Sequence, residues 1–210
     1  MILKKVNLVE PEMFLSESVA IVGSSSKIMS LNKGELIDTY EHVIRFNRST
    51  TKDFEKFVGS KTTIRAVNNH VFDNKDISNQ GYTNSPSNFV KKLRKENILF
   101  IGPDDGPWKR RRRNTHRSCN LFKFDYQQLD KIKDIMGINT EKKLQIGTIT
   151  IGLCILSNIK PHIFGFDLHN IARTHYFESR PGSIDTINHD PDNETEALRS
   201  LLSKKMINCD

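Results

Sequence analysis

The chain has 210 residues, 36% hydrophobic and 27% charged, which is long enough for one domain with a buried core and too apolar for a disordered chain. A net charge of +7 and an isoelectric point of about 9.3 suit an anionic partner without choosing among a nucleotide-sugar, a polyanionic glycan, a membrane surface and nucleic acid. No apolar run reaches the length of a membrane span, no signal-peptide core follows Met1, and Cys119, Cys154 and Cys209 have no metal-like spacing; the sequence predicts free thiols in a reducing, cytoplasmic setting.

Residues 1–18 contain Pro11 and little periodicity and read as a lead-in, with residues 19–210 as a single domain. Val19-Ala20-Ile21-Val22 is a short β-branched run of the kind that forms a buried parallel strand. Gly23 stops it and Ser24-Ser25-Ser26 follow, giving a tight turn beyond the carboxyl end of a strand, where α/β sheets hold ligands. A phosphate there would meet backbone donors and hydroxyls, although Gly-Ser-Ser-Ser alone is also an ordinary loop and is not the dinucleotide fingerprint. Lys33 to Tyr40 reads as a short helix or turn, His42 to Phe46 as a second strand ending on Asn47, and Lys52 to Val58 as a short helical piece closed by Gly59. A third strand, Thr62 to Val67, ends in Asn68-Asn69-His70, where amides suit sugar hydroxyls or simply form a turn.

Asp73 to Ser87 is polar and reads as a loop, Asn88 to Glu96 as a basic amphipathic helix, and Asn97 to Ile101 as a strand. The following Gly102-Pro103-Asp104-Asp105-Gly106-Pro107-Trp108 is turn-rich. Asp104 or Asp105 could bind acceptor hydroxyls and Trp108 could stack on a sugar face; a plain Asp-Gly turn beside a surface Trp is the simpler alternative. Adjacent aspartates in an extended chain point opposite ways, so no metal site is expected from them. Lys109 to Arg113 is the most basic run. No RNA-binding aromatic motif or zinc finger accompanies it, and it reads as a peripheral contact with anionic lipid or glycan rather than with nucleic acid.

Gln127 to Gly137 reads as a helix. Gly147-Thr148 then precedes an apolar stretch, Ile149 to Ile159, long enough for a buried helix, and Pro161 to Asp167 reads as a core strand. A Gly-Thr pair before a helix suits phosphate capture, or local capping by Thr148. Near the end, Asp190-Pro191 has the chemistry of a helix start, with Asp at the N-cap and Pro in the first turn, of a helix running to about Lys204. His189 precedes that helix, where a histidine held on a rigid element suits a general base, and Glu194 falls in its first turns as a positioning group.

Taken together, Ala20-Ile21-Val22-Gly23, Gly34-Glu35-x-Ile37-Asp38, Val43 to Arg48 and Val58 to Arg65 keep the order and spacing of one long motif. This stretch resembles the long sialylmotif of the animal-type sialyltransferases, glycosyltransferase family 29. Gly147 with Gly165-Phe166 resembles the short sialylmotif; His175-Tyr176-Phe177-Glu178 and His189-x-x-x-x-Glu194 resemble the third and very short ones. The resemblance implies that Gly23, Ser24, Ser25 and Asn47 line the CMP half of the donor site; the residues themselves add Asn68 at a strand end, Gly147 and Thr148 before a helix, and Tyr176 beside His175 as further donor contacts. The resemblance also implies His189 as base and His175 at the departing phosphate.

Three departures stand out. Ser24 occupies a position where the family usually has Asn, and Gln145 and Ile146 stand where Ser or Thr usually precede the short motif's Gly. Val19 and Asn158 replace the two cysteines of the Golgi enzymes' disulfide, and both are absent together. The implied fold is a single α/β domain, a mostly parallel Rossmann-like sheet flanked by helices in a GT-A variant. The implied activity is inverting transfer of sialic acid from CMP-sialic acid to a glycan hydroxyl, with no cofactor and no metal. The alternatives are transfer of Kdo from CMP-Kdo and a non-catalytic module binding nucleotide or polyanion.

Overall fold

The computed structural model describes residues 7–8, 18–68, 96–102, 121–168, 175–177 and 187–210. Within them, eight strands form one wholly parallel sheet: β1 (Asn7–Leu8), β2 (Val19–Val22), β3 (His42–Phe46), β4 (Ile64–Val67), β5 (Asn97–Phe100), β6 (Leu121–Lys123), β7 (His162–Phe164) and β8 (Asn208–Cys209). Their spatial order is β1-β6-β5-β4-β3-β2-β7-β8. The chain steps outward from β2 through β6 in one direction. It then returns to the other edge of β2 with β7, where Ala20 pairs with His162 and Val22 with Phe164. That reversal places a topological switch point between the carboxyl ends of β2 and β7, the position where open parallel sheets bind ligands.

Both faces of the sheet are covered, so β2 reads as an unbroken apolar run rather than as an alternation, while β3 and β4 each carry one buried arginine, Arg45 and Arg65, among apolar residues. All four residues of β2 are buried. Successive side chains of a strand point to opposite faces. Ala20 and Val22 pack with Ile28, Ile37, Val58 and Tyr176 beneath α1 (Gly34–Thr39) and α2 (Glu55–Val58). Val19 and Ile21 enter the larger core, which α3 (Leu129–Met136), α4 (Ile146–Leu156) and α5 (Pro191–Ser203) close with Ile132, Leu153, Ala197, Leu198 and Leu201. Among the described residues no helix is long and apolar enough to cross a membrane.

The strand readings at Val19–Val22 and His42–Phe46 match the structure residue for residue. Others shift. β7 stops at Phe164, before the expected Asp167, because Gly165 turns the chain with φ +67°. α4 begins at Ile146, three residues earlier than its apolar run suggests, so Gly147 and Thr148 lie inside its first turn instead of before it. Strands β1, β6 and β8, with two or three residues each, are too short to carry a period. β1 nonetheless draws part of the lead-in into the sheet by pairing Asn7 with Phe122. The expected loop at Asp73–Ser87, the helix at Asn88–Glu96 up to residue 95, the turn with Asp104, Asp105 and Trp108, and Lys109–Arg113 lie outside the described residues, as do Cys119, Asn69, His70 and Glu178.

Candidate active site

The switch point is built from backbone in contact with backbone. Gly23 N–H donates to the Phe164 carbonyl at 2.7 Å and Ser25 N–H to the Gly165 carbonyl at 3.0 Å. A Cβ on Gly23 would sit 2.5 Å from the Gly165 carbonyl oxygen, so only glycine allows the two turns to meet. The Phe166 ring covers the junction: it would lie 3.0 Å from a Cβ on Gly23 and 3.0 Å from one on Gly147, and it meets Phe46 edge-on at 6.2 Å. One aromatic ring thus joins the turn after β2, the end of β3 and the first turn of α4. Nearby, Lys27 pairs with Asp167 at 2.7 Å, tying the segment after β2 to the segment after β7.

Asn47 and Asn68 end neighbouring strands and form one unit, since Asn68 N–H donates to Asn47 Oδ1 at 3.1 Å. Asn47 adopts a left-handed backbone, φ +43°, which asparagine tolerates better than other non-glycine residues. The loop is held from below by buried Arg65. Its guanidinium donates to the Asn47 carbonyl at 3.1 Å and the Ser49 carbonyl at 2.9 Å, and pairs with Glu96 through Nε at 2.5 Å and Nη2 at 3.0 Å. Arg45 is enclosed on the face of α2, donating to the carbonyls of Val58, Gly59 and Lys61; burial lowers it to about 10. On the same side Asp38 accepts from the Ser60 and Lys61 amides and fixes the loop before β4 to α1.

His175 and Ser24, distant in sequence, meet here: Ser24 Oγ lies 2.6 Å from His175 Nδ1. Tyr176 N–H donates to the Ser24 carbonyl at 3.0 Å. The Tyr176 phenol points inward, donates to the Thr50 carbonyl at 2.6 Å and packs edge-on against Phe54, and burial pushes it above the ordinary phenol range. Tyr176 is therefore an anchor for the histidine beside it, and its hydroxyl is occupied within the protein.

His189 belongs to a second cluster at the starts of α4 and α5. Asp190 caps α5, accepting from Asn193 N–H, and Pro191 stands at the first helical position, as the sequence predicts. His189 Nδ1 lies 2.7 Å from the Lys143 carbonyl, and Lys143 N–H returns a bond to the Asn188 carbonyl at 3.0 Å. A carbonyl only accepts, so Nδ1 carries the hydrogen and Nε2 a lone pair. Glu194, 2% exposed, accepts from Gln145 N–H at 2.9 Å and from the Thr148 hydroxyl. That carboxylate is why α4 starts early: it supplies from another helix the cap that Gln145 does not provide. Thr148 is consequently neither a local cap nor a group open to phosphate. It is a buried link between two helices.

Burial raises the Glu194 carboxyl above the usual carboxylate range, partly offset by Thr148, Gln145 N–H and the His189 ring; its Oε1 is buried without a hydrogen-bond partner. A carboxyl that is raised on folding binds more protons in the folded state. The stability it contributes is complete below the unfolded value and falls as pH rises through the folded one. The urea midpoint of wild type, measured against that of Glu194→Gln, should therefore decline with pH across this window. A constant difference would contradict the assignment.

Among the described residues no three His, Cys, Asp or Glu side chains converge in a metal-like group. Cys154 is fully buried, its thiol pushed up to about 12 by burial, and Cys209 is partly buried; both are free thiols. Sequence reasoning named both histidines and the turn but missed the Phe166 bridge, the Lys27–Asp167 pair and the pairing of Ser24 with His175. Gly165-Phe166 was visible as the end of a motif. Nothing in a linear sequence marks the other two.

Comparison with known proteins supports the same frame. Residues 7–100 match the family described as glycosyltransferase family 29 (sialyltransferase). The human beta-galactoside alpha-2,6-sialyltransferase 2 is 26% identical over 191 residues, covering 77% of this chain and 33% of that protein. The beta-1,6-galactosyltransferase GALT29A of Arabidopsis thaliana is 46% identical over 54 residues, 26% of this chain and 14% of that protein. The chain spans about a third of the length of the curated relatives it matches. A crystal structure of a mammalian sialyltransferase, in complex with Gal-beta-1-3GalNAc-ortho-nitrophenol, superposes with a TM-score of 0.66 at 16% identity, covering 97% of this chain and 74% of that one; this likeness identifies the fold.

Proposed function

We propose that this chain, which over residues 7–100 matches glycosyltransferase family 29 (sialyltransferase) and is similar to curated sialyltransferases, transfers sialic acid from CMP-sialic acid to a glycan hydroxyl with inversion. The observation that carries the reading is the placement of the Gly23–Ser25 turn, Asn47 and Asn68 at the carboxyl ends of three adjacent parallel strands, with His175 seated on that turn. In this reading His189 Nε2, its lone pair directed by the Nδ1–H bond to Lys143, takes the proton of the acceptor hydroxyl as it attacks. His175 donates to the phosphate of the departing CMP. A single displacement from the face opposite CMP inverts the anomeric centre without a covalent intermediate. Glycan and CMP-sugar are the expected partners.

Product analysis with CMP-sialic acid, CMP-Kdo and a nucleotide-activated galactose over a panel of glycans tests the proposal. A second reading, galactose transfer, is favoured by the name of the plant relative, and a galactosylated product in this assay would establish it. No product with any donor, together with no binding of CMP, would leave only a non-catalytic module.

Two further results are expected. Asn47→Ala removes a donor-site amide and the acceptor for Asn68 N–H, and should weaken CMP binding by about 1–3 kcal/mol. Unchanged affinity by calorimetric titration would remove Asn47 from the site. Turnover is read as independent of a divalent ion, the leaving phosphate being met by His175. Activity should survive excess EDTA; loss in chelator, restored by manganese or magnesium, would overturn this part of the mechanism.

A further inference from the structure

We propose that His162, Asp210 and Lys33 form a proton-operated clasp near one edge of the sheet, in which a protonated His162 takes the Asp210 carboxylate from Lys33 and so releases the start of α1 from the end of β8. The group lies outside the candidate site and stands whatever the chain transfers. Four titratable side chains from three elements converge there. His162 opens β7, and Lys33 and Tyr40 flank the two ends of α1. Asp210 follows β8, whose pairing with β7 sets Asn208 against His162. The Tyr40 hydroxyl lies 2.5 Å from Nδ1 of the imidazole. Asp210 Oδ2 lies 3.5 Å from His162 Nε2 and 3.4 Å from Lys33 Nζ. One carboxylate oxygen thus stands between two nitrogens, of which the ammonium is charged throughout and the imidazole only in acid.

Burial decides which cation holds the carboxylate. His162 Nε2 is buried and makes no hydrogen bond, and its ring is enclosed by Phe164, stacked at 4.3 Å, and by Tyr40, edge-on at 5.7 Å. A charged Nε2–H is shut off from solvent there, and among the described residues the acceptor facing it is Asp210. Lys33 is 35% exposed at the side chain, so its ammonium returns to solvent at little cost. Tyr40 does not bias the outcome, because a phenol donates to a bare Nδ1 and accepts from a protonated one. The remaining neighbours bring no charge to the ring. Ala20 and Phe164 are apolar, Cys209 packs on the larger core of the opposite face, and Lys61 is bound to the Tyr40 carbonyl. Burial holds the imidazole below its ordinary value; Asp210 offsets this and Lys33 adds to it. A histidine lowered on folding contributes stability that is complete above the unfolded value and lost as pH falls through the folded one, and the clasp changes partners in that window. The change bears on the ligand side of the sheet, because Phe164, stacked on the ring, gives its carbonyl to Gly23 N–H.

The test is a pH titration of the full chain by proton–carbon correlation spectroscopy, with the His162 signals assigned by their loss in His162→Gln and those of Lys33 by their loss in Lys33→Met. The wild-type His162 midpoint should lie below the ordinary histidine value of about 6.5. Lys33→Met, which removes the competing cation, should raise that midpoint by about half a pH unit, and Asp210→Asn should lower it by a similar amount, the scale of one partly exposed charge pair. The exchange of partners is read on Lys33 itself. Its Cε–Hε signal should step at the His162 midpoint in wild type and lose that step in His162→Gln. A wild-type midpoint at or above about 6.5, a midpoint unmoved or lowered in Lys33→Met, or a Lys33 signal that does not respond to His162 overturns the proposal. If Asp210→Asn does not fold, the wild-type and Lys33→Met titrations still decide.

Discussion

His189→Ala is expected to lower kcat by about 10²–10⁴-fold with donor affinity near wild type, the range for loss of a positioned general base. The expectation follows from three features of one small region. The Asp190 cap and Pro191 hold the histidine at the start of a 13-residue helix. The Lys143 carbonyl takes Nδ1–H and leaves Nε2 as the basic nitrogen. Glu194, four residues into the helix, is bound to Gln145 and Thr148 and locks α5 against the start of α4. The pH–rate profile supplies the check: the acidic limb of wild type should be lost in His189→Ala. A variant that keeps most of its kcat and the same limb would show that His189 is not the base.

Arg65→Ala should destabilise the fold by about 3–5 kcal/mol, the cost of leaving one charge of a buried pair without its partner. That is a large part of the 5–15 kcal/mol of a typical domain. Arg65 is 1% exposed and Glu96 9% exposed at the side chain, with the pair bidentate. The same guanidinium carries the carbonyls of Asn47 and Ser49, so the loss should reach the donor loop and weaken CMP binding in whatever protein remains folded. Replacing both charges, Arg65→Met with Glu96→Leu, removes the stranded carboxylate and should recover part of the stability but not the CMP affinity. Urea denaturation and calorimetry separate the two effects. An Arg65→Ala variant within about 1 kcal/mol of wild type, the scale of an exposed pair, would mean that the pair is not buried in solution.

Much of this was legible in the order of residues. β2 is a continuous apolar run and β3 carries Val43, Ile44 and Phe46 around a buried Arg45, because both faces of a covered parallel sheet are largely apolar, and such short β-rich stretches announce themselves. The start of α5 was equally plain, since Asp190 and Pro191 act through bonds to their own neighbours. The family resemblance rested on motifs of the same local kind. What only the tertiary structure decided is everything made between segments far apart in sequence. The first turn of α4 was misplaced because its cap, Glu194, lies 49 residues from the Gln145 amide that it accepts from. Strands β1, β6 and β8 exist through their pairing with neighbours, not through any period of their own. Thr148 and Tyr176 read as phosphate ligands from sequence, yet folding spends both hydroxyls on internal acceptors. Ser24 and His175, separated by 151 positions, become partners only when the β2 turn and the segment at 175–177 are docked together. Sequence determines which groups are available and how each short segment turns; packing determines which of those groups meet, because a hydrogen bond is satisfied by proximity in space and carries no record of distance along the chain.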